Sequence, residues 1–393
     1  MPSQTWMTDV RNATALGAAP FGNRPLNQIV VPGTHDAGCY TNSWGAVVSR
    51  TQTQDIAQQL AGGVRYFDLR PCKNEQQFWT YHGPYWGGRL DGGTGILQDV
   101  ASFMAGAAAG GQELVILNIS HFNQFDASDH HRLINEILLR VGPFLVPHRQ
   151  GTFNLFDAAY DAVLTGAIGG PTSRVAVLYD GALDTALENL CPAMPDGFFK
   201  LSPKYVVAGP SQVFLFDQYA NQATLAPMQT NQMNKLAQRS SYVFSTRAWP
   251  GAAGNWTNNA PYPLPGTGIQ GTWHLFSWTL TPQNPVNWWS TGGTVSPLTI
   301  ARNVANPALE GWFTGNHWPV AVPAVLATRG YDPMQDQRIN VIYVDDYASQ
   351  AHNCLMHGGV CPRAGYAAPV ALCDFINRNF NQGGVWPGWA GQY

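Results

Sequence analysis

The sequence predicts an α/β fold, namely a single, distorted β/α barrel of the TIM type with long rim loops rich in Pro, Gly and Trp. Short apolar runs recur along the chain, and most of them stop at a polar or charged residue. Segments of helix length separate these runs, which is the order of elements expected for βα units closed into a barrel. With 393 residues, 45% of them hydrophobic, the chain can bury the core of such a barrel as one domain, 1–393.

Three strands and a short helix are predicted near the start of the chain. A strand over 26–31 ends at Pro32 and Gly33, where glycine allows the backbone to turn. The other elements are an amphipathic helix over 54–61, a second strand over 64–69, and a short third strand over 77–81 that a hairpin turn at 73–75 joins to the second.

Later elements repeat the alternation of helix and strand. The run 113–119 is nearly continuous in apolar residues, as strands of parallel sheets are. Around 248–320 the rhythm is lost because Pro, Gly, Asn and Trp crowd together, and we predict a rim-loop insertion there rather than a second domain. The predicted helices are 100–109 and 130–141, and the predicted strands are 113–119, 174–179, 212–216, 273–278 and 339–344.

Charge and hydropathy argue against a nucleic-acid partner and against a membrane-spanning segment. The net charge is −3 and no run of Lys or Arg occurs, so a nucleic-acid partner is not expected. No apolar stretch of 18 residues is present, and the first residues lack the layout of a signal peptide. The sequons at Asn12 and Asn255 and the scarcity of Lys favour a secreted protein, with a cytoplasmic location as the alternative.

The six cysteines are too sparse for a disulfide framework. Cys354 and Cys361 lie close together in a Gly-rich segment, and we predict a disulfide between them. A zinc site is disfavoured because no C-x-x-C pair occurs.

Titratable residues follow or end the first three predicted strands. His35 and Asp36 follow the first, Asp68 and Arg70 lie at the end of the second, and His82 follows the third. Cleavage of a phosphodiester needs a base for the attacking hydroxyl, an acid for the leaving alkoxide, and positive charge near the phosphate oxygens. Two histidines and an arginine supply these groups.

Three motifs in order resemble the phosphatidylinositol-specific phospholipase C X-domain family. They are Pro-Gly-Thr-His-Asp-Ala-Gly at 32–38, Phe-Asp-Leu-Arg at 67–70 and Tyr-His-Gly at 81–83. Eukaryotic members carry Asn after the first His and Glu-x-Asp on the second strand, and these residues hold calcium. Here Asp36 and Asp68-x-Arg70 occupy those positions, as in the bacterial, metal-independent branch. The resemblance therefore implies no cofactor and no calcium, with Arg70 in its place.

The resemblance implies a catalytic role for each matched residue. His35 is the base and His82 the acid, while Arg70 binds a non-bridging phosphate oxygen. Asp36 pairs with His82, and Asp68 holds Arg70.

A further acid, which orients the base in this family, ends the last strand of the barrel. We favour Asp346 for this role because the family pattern is an Asp followed by an aromatic residue. Asp345 remains open, since a slip of one residue changes which side chain points inward.

The resemblance also implies head-group contacts. Asp217 and Tyr219 match an Asp-x-Tyr that contacts the inositol ring. Ser120 and His121 stand where a Lys is expected, and Asp180 stands where an Arg is expected, so specificity for inositol is left open.

The implied reaction is internal attack by a hydroxyl on a phosphatidylinositol-like phosphodiester, giving a cyclic phosphate and diacylglycerol. Alternatives are a different, soluble polyol or sugar phosphodiester, a metal-dependent phosphodiesterase of the same barrel type, and a non-catalytic binding module. Arg70 argues against the metal-dependent enzyme, and the complete set of two His and one Arg argues against the binding module. The expected partner is phosphatidylinositol or a related lipid, and the chain is expected to be a monomer.

Tryptophans on the predicted loops allow two functions. They could contact a membrane surface transiently or stack on sugar rings, and the alternative is that they pack the loops. These residues are Trp44, Trp86, Trp288, Trp289, Trp312 and Trp318.

Overall fold

The strands of the protein form one large parallel sheet and one small antiparallel sheet. The computed structural model describes residues 4–12, 20–41, 48–148, 153, 155–166, 169–180, 195–201, 213–217, 219–245, 272–281, 296–314, 339–350 and 366–379. The strands in chain order are β1 (Val31–Thr34), β2 (Tyr66–Leu69), β3 (Pro71–Asn74), β4 (Gln77–His82), β5 (Tyr85–Arg89), β6 (Leu114–Ile119), β7 (Arg174–Tyr179), β8 (Phe198–Lys200), β9 (Phe214–Phe216), β10 (Thr272–Trp278) and β11 (Val341–Val344).

The large sheet has the strand order of a β/α barrel. Its eight strands run β8-β7-β6-β2-β1-β11-β10-β9, and every neighbouring pair is parallel. The two edge strands meet at a single parallel bridge between Leu201 and Val213. Read around this ring, the strands follow their order in the chain, as in a TIM barrel. The predicted fold class is therefore confirmed, and the distortion lies at the weakly paired β8–β9 junction.

Helices cover the outside of the sheet. The helix α9 packs on β1 and β11, and α1 packs on α9. Among the described residues, no helix is both long enough and apolar enough to cross a membrane. The helices are α1 (Trp6–Asn12), α2 (Ile56–Ala61), α3 (Ile96–Ala105), α4 (Ala127–Val141), α5 (Tyr160–Leu164), α6 (Leu225–Ser245), α7 (Pro297–Ile300), α8 (Asn306–Thr314) and α9 (Ala368–Asn379).

The first strand differs from its prediction. Residues 26–28 form a 3₁₀ turn, and β1 begins at Val31 and continues through Gly33. A Cβ atom on Gly33 would lie 2.5 Å from Cγ1 of Val341 and 3.1 Å from Cδ1 of Tyr66. Glycine is therefore required here because neighbouring strands approach closely, and not because the chain turns.

The predicted hairpin is present but has a different partner. The strand β4 pairs with β3 and β5 in a separate antiparallel sheet. It does not pair with β2, because β1 and β6 occupy the two edges of β2.

The predicted rim-loop insertion contains helices. Residues 297–314 form α7, a π-helical turn at Ala301–Ala305, and α8. Trp312 is 4% exposed and its ring lies 5.0 Å from that of Phe276 and 5.6 Å from that of Trp278. This tryptophan packs the core rather than contacting a membrane.

The remaining strand and helix predictions hold to within a few residues, and 174–179 coincides with β7. That the chain forms one domain stays a prediction. Cys39, Cys72 and Cys373 are buried free thiols. The predicted disulfide and several predicted loop residues lie outside the described residues: Cys354, Cys361, Trp44, Trp288, Trp289 and Trp318.

A buried ion pair lies at the end of the barrel opposite the carboxyl ends of its strands. Nη2 of Arg65 lies 2.8 Å from Oε2 of Glu113, and both side chains are fully buried. Arg65 precedes β2 and Glu113 precedes β6, so the pair joins the starts of two adjacent strands. Glu113 also accepts a hydrogen bond of 2.8 Å from the backbone of Thr8, which precedes it by 105 residues.

We expect Glu113→Ala to lower the free energy of unfolding by about 3–5 kcal/mol, because it leaves a buried guanidinium without its counter-ion. Arg140→Ala is the control, since Arg140 pairs with Glu136 at 2.9 Å on the partly exposed surface of α4. That change should cost less than about 1 kcal/mol. Urea denaturation measures both values, and equal losses would contradict the structural role of the buried pair.

Candidate active site

The predicted catalytic side chains meet at one rim of the barrel. All eight strands of the sheet are parallel, so their carboxyl ends lie together. His35 follows β1, Arg70 follows β2 and Asp345 follows β11, while Asp68 lies within β2. His82 is the last residue of β4 and reaches the same rim from the hairpin.

Close backbone contacts hold the hairpin against the rim. The backbone N–H of Gly88 donates to the carbonyl of Gly38 over 2.6 Å. A Cβ atom on Gly38 would lie 2.4 Å from Oγ1 of Thr80, so only glycine allows this approach. Nδ1 of His82 lies 2.9 Å from the carbonyl oxygen of Ser49. The His82 ring is thereby placed 5.9 Å from the ring of His35, measured between centroids.

A single buried carboxylate contacts all three basic side chains. Oδ1 of Asp36 lies 2.7 Å from Nε of Arg70, and its Oδ2 lies 3.2 Å from Nε2 of His35. The same Oδ2 is 3.6 Å from Nε2 of His82. Asp36 has a φ of 41°, a left-handed conformation that Asp tolerates better than most residues. The predicted pairing of Asp36 with His82 is thus the longest of the three contacts that Asp36 makes with basic side chains.

A second carboxylate holds the guanidinium from the other side. Oδ2 of Asp68 lies 3.1 Å from Nη2 of Arg70 and also accepts a hydrogen bond from the Tyr343 hydroxyl. Burial acts to raise the pKa of Asp68, but the positive charge of Arg70, the nearby His35 and His121 and the hydrogen bond from Tyr343 together outweigh it and lower that pKa to about 2. Burial likewise opposes the charge of Arg70, and Asp68 and Asp36 together raise the pKa of the guanidinium well above its ordinary value. Arg70 is therefore locked between two anions.

His35 is oriented by a third carboxylate. Its Nδ1 lies 2.7 Å from Oδ1 of Asp345, so the ring carries a proton on Nδ1. Nε2 faces Oδ2 of Asp36 at 3.2 Å and Nη2 of Arg70 at 3.1 Å. Burial and Arg70 lower the pKa of His35, but Asp36 and Asp345 outweigh them and raise it to about 9. Because Nδ1 keeps its proton for Asp345, the ring gains or loses a proton at Nε2, which faces an acceptor on Asp36 and a donor on Arg70.

Asp345, and not the favoured Asp346, contacts the predicted base. Asp346 instead accepts from the Thr53 hydroxyl and pairs with Arg302. The reason is strand alternation: Tyr343 and Asp345 turn toward the site, and the residues between and after them turn away. The prediction that Asp346 orients His35, which was based on the aromatic residue that follows Asp346, is wrong for the contact with Nδ1 of His35.

The residues at the site do not suit a divalent cation while Arg70 is in place. His35, Asp36 and Asp68 each offer a ligand atom, and these atoms lie within 4.8 Å of one another. However, the guanidinium already contacts both carboxylates, at 2.7 and 3.1 Å. A metal ion would have to displace or approach this fixed positive charge, which electrostatic repulsion opposes.

A cleft of about 230 Å³ opens beside these groups. Of the predicted head-group residues, His121, Asp217 and Tyr219 line it. Ser120 is not one of the lining residues. It is buried, and its hydroxyl lies 2.9 Å from Nδ1 of His121. Asp180 follows β7 but is likewise not one of the described lining residues.

Several lining residues were missed by the sequence analysis. They include Tyr66, Asn118, Asn221, Leu275, Thr279, Thr281 and Tyr343. Four of them lie within predicted strands, where inward alternation of side chains would have found them, whereas Asn221, Thr279 and Thr281 follow predicted strands. Arg70 is the one Lys or Arg among the described residues that line the cleft.

Comparison of sequences finds similarity to PI-PLC X domain-containing proteins and to a bacterial phosphodiesterase. PI-PLC X domain-containing protein 2 of Homo sapiens is 28% identical over 170 residues, which cover 36% of this chain and 53% of that protein. The 1-phosphatidylinositol phosphodiesterase of Listeria monocytogenes is 26% identical over 164 residues, covering 40% of this chain and 46% of that protein. The chain spans about half the length of the curated relatives it matches. No family model matches the chain.

Comparison of structures shows the same fold. A variant of phosphatidylinositol-specific phospholipase C from Staphylococcus aureus superposes with a TM-score of 0.51 at 12% identity, covering 96% of this chain and 98% of that one. Another variant of the same enzyme gives a TM-score of 0.52 at 12% identity. The predicted resemblance to the phosphatidylinositol-specific phospholipase C X-domain family is therefore confirmed in sequence and in fold.

We expect His35 to titrate with a pKa of about 9 when its ring nitrogens are followed by NMR. Asp345→Asn should lower this pKa, because it removes a negative charge 2.7 Å from Nδ1. Asp346→Asn is the control and should leave the pKa near its starting value, since that side chain is turned to Thr53 and Arg302. A larger effect from Asp346→Asn than from Asp345→Asn would contradict the assignment.

Proposed function

We propose that this protein is a phosphatidylinositol-specific phospholipase C-like phosphodiesterase that acts as a phosphorus-oxygen lyase. It cleaves a phosphatidylinositol-like phosphodiester by internal attack of a neighbouring hydroxyl, giving a cyclic phosphate and diacylglycerol. The observation that carries the proposal is the pair of histidines, 5.9 Å apart between ring centroids, whose shared carboxylate Asp36 also holds Arg70. The names of the curated and structural relatives support the same chemistry.

The first step is removal of a proton by His35. Asp345 holds the proton on Nδ1, which leaves Nε2 as the atom that takes the proton of the attacking hydroxyl. The hydroxyl oxygen then bonds to phosphorus. Asp36 and Asp345 stabilise the resulting imidazolium, because they raise the pKa of the ring.

The second step is protonation of the leaving group by His82. Acceptors face both ring nitrogens, at 2.9 Å for the Ser49 carbonyl and 3.6 Å for Asp36, and the doubly protonated ring can serve both. Its side chain is 31% exposed, so it is open to the cleft. As the bond from phosphorus to the alkoxide breaks, His82 gives the alkoxide a proton and diacylglycerol leaves.

Arg70 supplies the positive charge in this proposal. Its planar guanidinium binds a non-bridging phosphate oxygen, and Asp36 and Asp68 hold it in place. We propose that no metal is needed, with the guanidinium serving where calcium would otherwise act. The repulsion that Arg70 exerts on a divalent cation supports this reading.

The head group is proposed to bind in the cleft next to Arg70. Asp217 can accept hydrogen bonds from ring hydroxyls, and Tyr219, which is 53% exposed, can stack on a ring. Because Arg70 is the one Lys or Arg among the described lining residues, a neutral polyol is favoured over a phosphorylated head group. The same observation allows a soluble polyol or sugar phosphodiester as the second candidate substrate. A non-catalytic binding module is disfavoured by the intact set of His35, His82 and Arg70.

Lipid access is proposed to involve the hairpin. Trp86 lies on β5, is 51% exposed and stacks on Trp79 with centroids 6.3 Å apart. An exposed indole near His82 suits transient contact with a membrane interface. We also propose that the protein acts as a monomer and is secreted, with a cytoplasmic location as the alternative.

His35→Ala and His82→Ala should each remove the cyclic inositol phosphate signal in phosphorus NMR with phosphatidylinositol micelles. Arg70→Lys should lose most activity, because a point charge cannot reproduce the planar fork. His131→Ala on the exposed face of α4 is the control and should keep the wild-type rate. EDTA should leave the wild-type signal unchanged, whereas loss of the signal in EDTA would refute metal independence.

The pH dependence of kcat/KM should report His35. The base must be neutral to accept a proton, and its pKa is raised to about 9, so the charged form dominates at lower pH. On a soluble inositol phosphodiester with a nitrophenolate leaving group, which needs no proton from His82, we expect kcat/KM to rise with pH up to about 9 rather than to level off near the ordinary histidine value of about 6.5. Initial rates on this substrate over roughly pH 5 to 10, a range that includes the ordinary and the raised pKa of His35, test this. A plateau reached below pH 7, roughly where an ordinary histidine is already neutral, would contradict the assignment of the base.

A further inference from the structure

The floor of the cleft contains a buried amide that the proposed chemistry does not use. Asn118 lies in β6, is 4% exposed and lines the cleft. In the described part of the chain, its Oδ1 atom has no hydrogen-bond partner. Buried amide oxygens are nearly always paired, so an acceptor of this kind in a cleft points to a ligand that donates a hydrogen bond.

The amide lies directly beside the group that would bind phosphate. In the parallel pairing of β2 and β6, Asn118 is opposite Asp68, and adjacent strands are about 4.8 Å apart. Asp68 in turn contacts Arg70 at 3.1 Å. A head group attached to a phosphate on Arg70 would therefore extend over Asn118.

Two tyrosines line the cleft near Asn118. Tyr66 precedes Asp68 by two residues on β2, so its side chain turns to the same side of the sheet. Burial raises the pKa of Tyr66 well above its ordinary value, so this neighbour stays uncharged. Tyr343, whose hydroxyl donates to Asp68, packs on Tyr66 with ring centroids 6.3 Å apart. On this floor two uncharged tyrosines therefore lie beside the ionised carboxylate of Asp68, which is opposite Asn118.

We propose that Oδ1 of Asn118 accepts a hydrogen bond from a ring hydroxyl of the substrate, which makes Asn118 a binding residue selective for a polyol head group. This inference rests on the proposed function. A neutral acceptor suits an uncharged hydroxyl, and it offers no attraction to an additional phosphate on the ring.

Two variants that keep the number of side-chain heavy atoms separate this role from a structural one. Asn118→Leu removes the acceptor, and Asn118→Asp keeps an oxygen at the same place. The probe is free myo-inositol, which is uncharged, tested as a competitive inhibitor of phosphatidylinositol cleavage. Thermal unfolding checks that both variants keep the fold, and the NMR titration of His35 shows whether the added carboxylate of Asn118→Asp changes the pKa of the base.

We expect Asn118→Leu to weaken inhibition by myo-inositol and to raise KM by about 2–10-fold, with a smaller change in kcat. Asn118→Asp should keep the inhibition constant within about two-fold of wild type, because it retains the acceptor.

Two results overturn the inference while leaving the proposed function intact. One is a wild-type inhibition constant in Asn118→Leu, and the other is an equal loss in both variants. Failure of the wild-type protein to cleave phosphatidylinositol would instead refute the proposed function, and the role of Asn118 would fall with it.

Discussion

The arrangement of the site depends on burying the carboxylate of Asp36, which is 1% exposed. A buried charge is strongly unfavourable unless it is paired, and this one is paired with Arg70 and lies against two imidazoles. Two further carboxylates, Asp68 and Asp345, are buried within the same network. The fold thus concentrates negative charge that fixes the guanidinium and favours the protonated form of His35. The same charges that stabilise the folded site also hold the groups that the proposed reaction uses.

The barrel and the hairpin contribute to the site in different ways. Parallel strands place His35, Arg70 and Asp345 on one rim, because their carboxyl ends are in register: Thr34 pairs with both Phe67 and Val344. The acid His82 is not on a barrel strand and depends on the contact of the hairpin with Gly38. Distance between the two histidines is therefore set by packing between two sheets, and a bulky residue at Gly38 would change it.

Backbone conformation at the rim is unusual where function is concentrated. Asp36, His121 and Asp346 have φ values of 41°, 57° and 42°, and they follow β1, β6 and β11. Such left-handed conformations cost about 1–3 kcal/mol each and persist only where surrounding contacts enforce them. Here those contacts include the backbone bond from Asp346 to the carbonyl of Thr51, at 2.7 Å. The turns aim successive side chains at different groups, which lets Asp345 face His35 while Asp346 faces Arg302.

Local apolar runs and short motifs were enough to predict the class of fold, the positions of most barrel strands and the grouping of the candidate site residues His35, Asp36, Asp68, Arg70 and His82. The choice of Asp345 over Asp346 as the contact of His35 depends on tertiary structure, since the pairing of β11 with β1 and the left-handed conformation of Asp346 set which carboxylate faces the base. Tertiary structure also decided that Asp36 is shared among three basic groups, and that Gly33 serves close packing rather than a turn. The floor of the cleft, with Tyr66, Asn118 and Tyr343, was likewise beyond a local reading. These features arise from contacts between segments far apart in the chain, and no local pattern of residues specifies which side chains such contacts bring together.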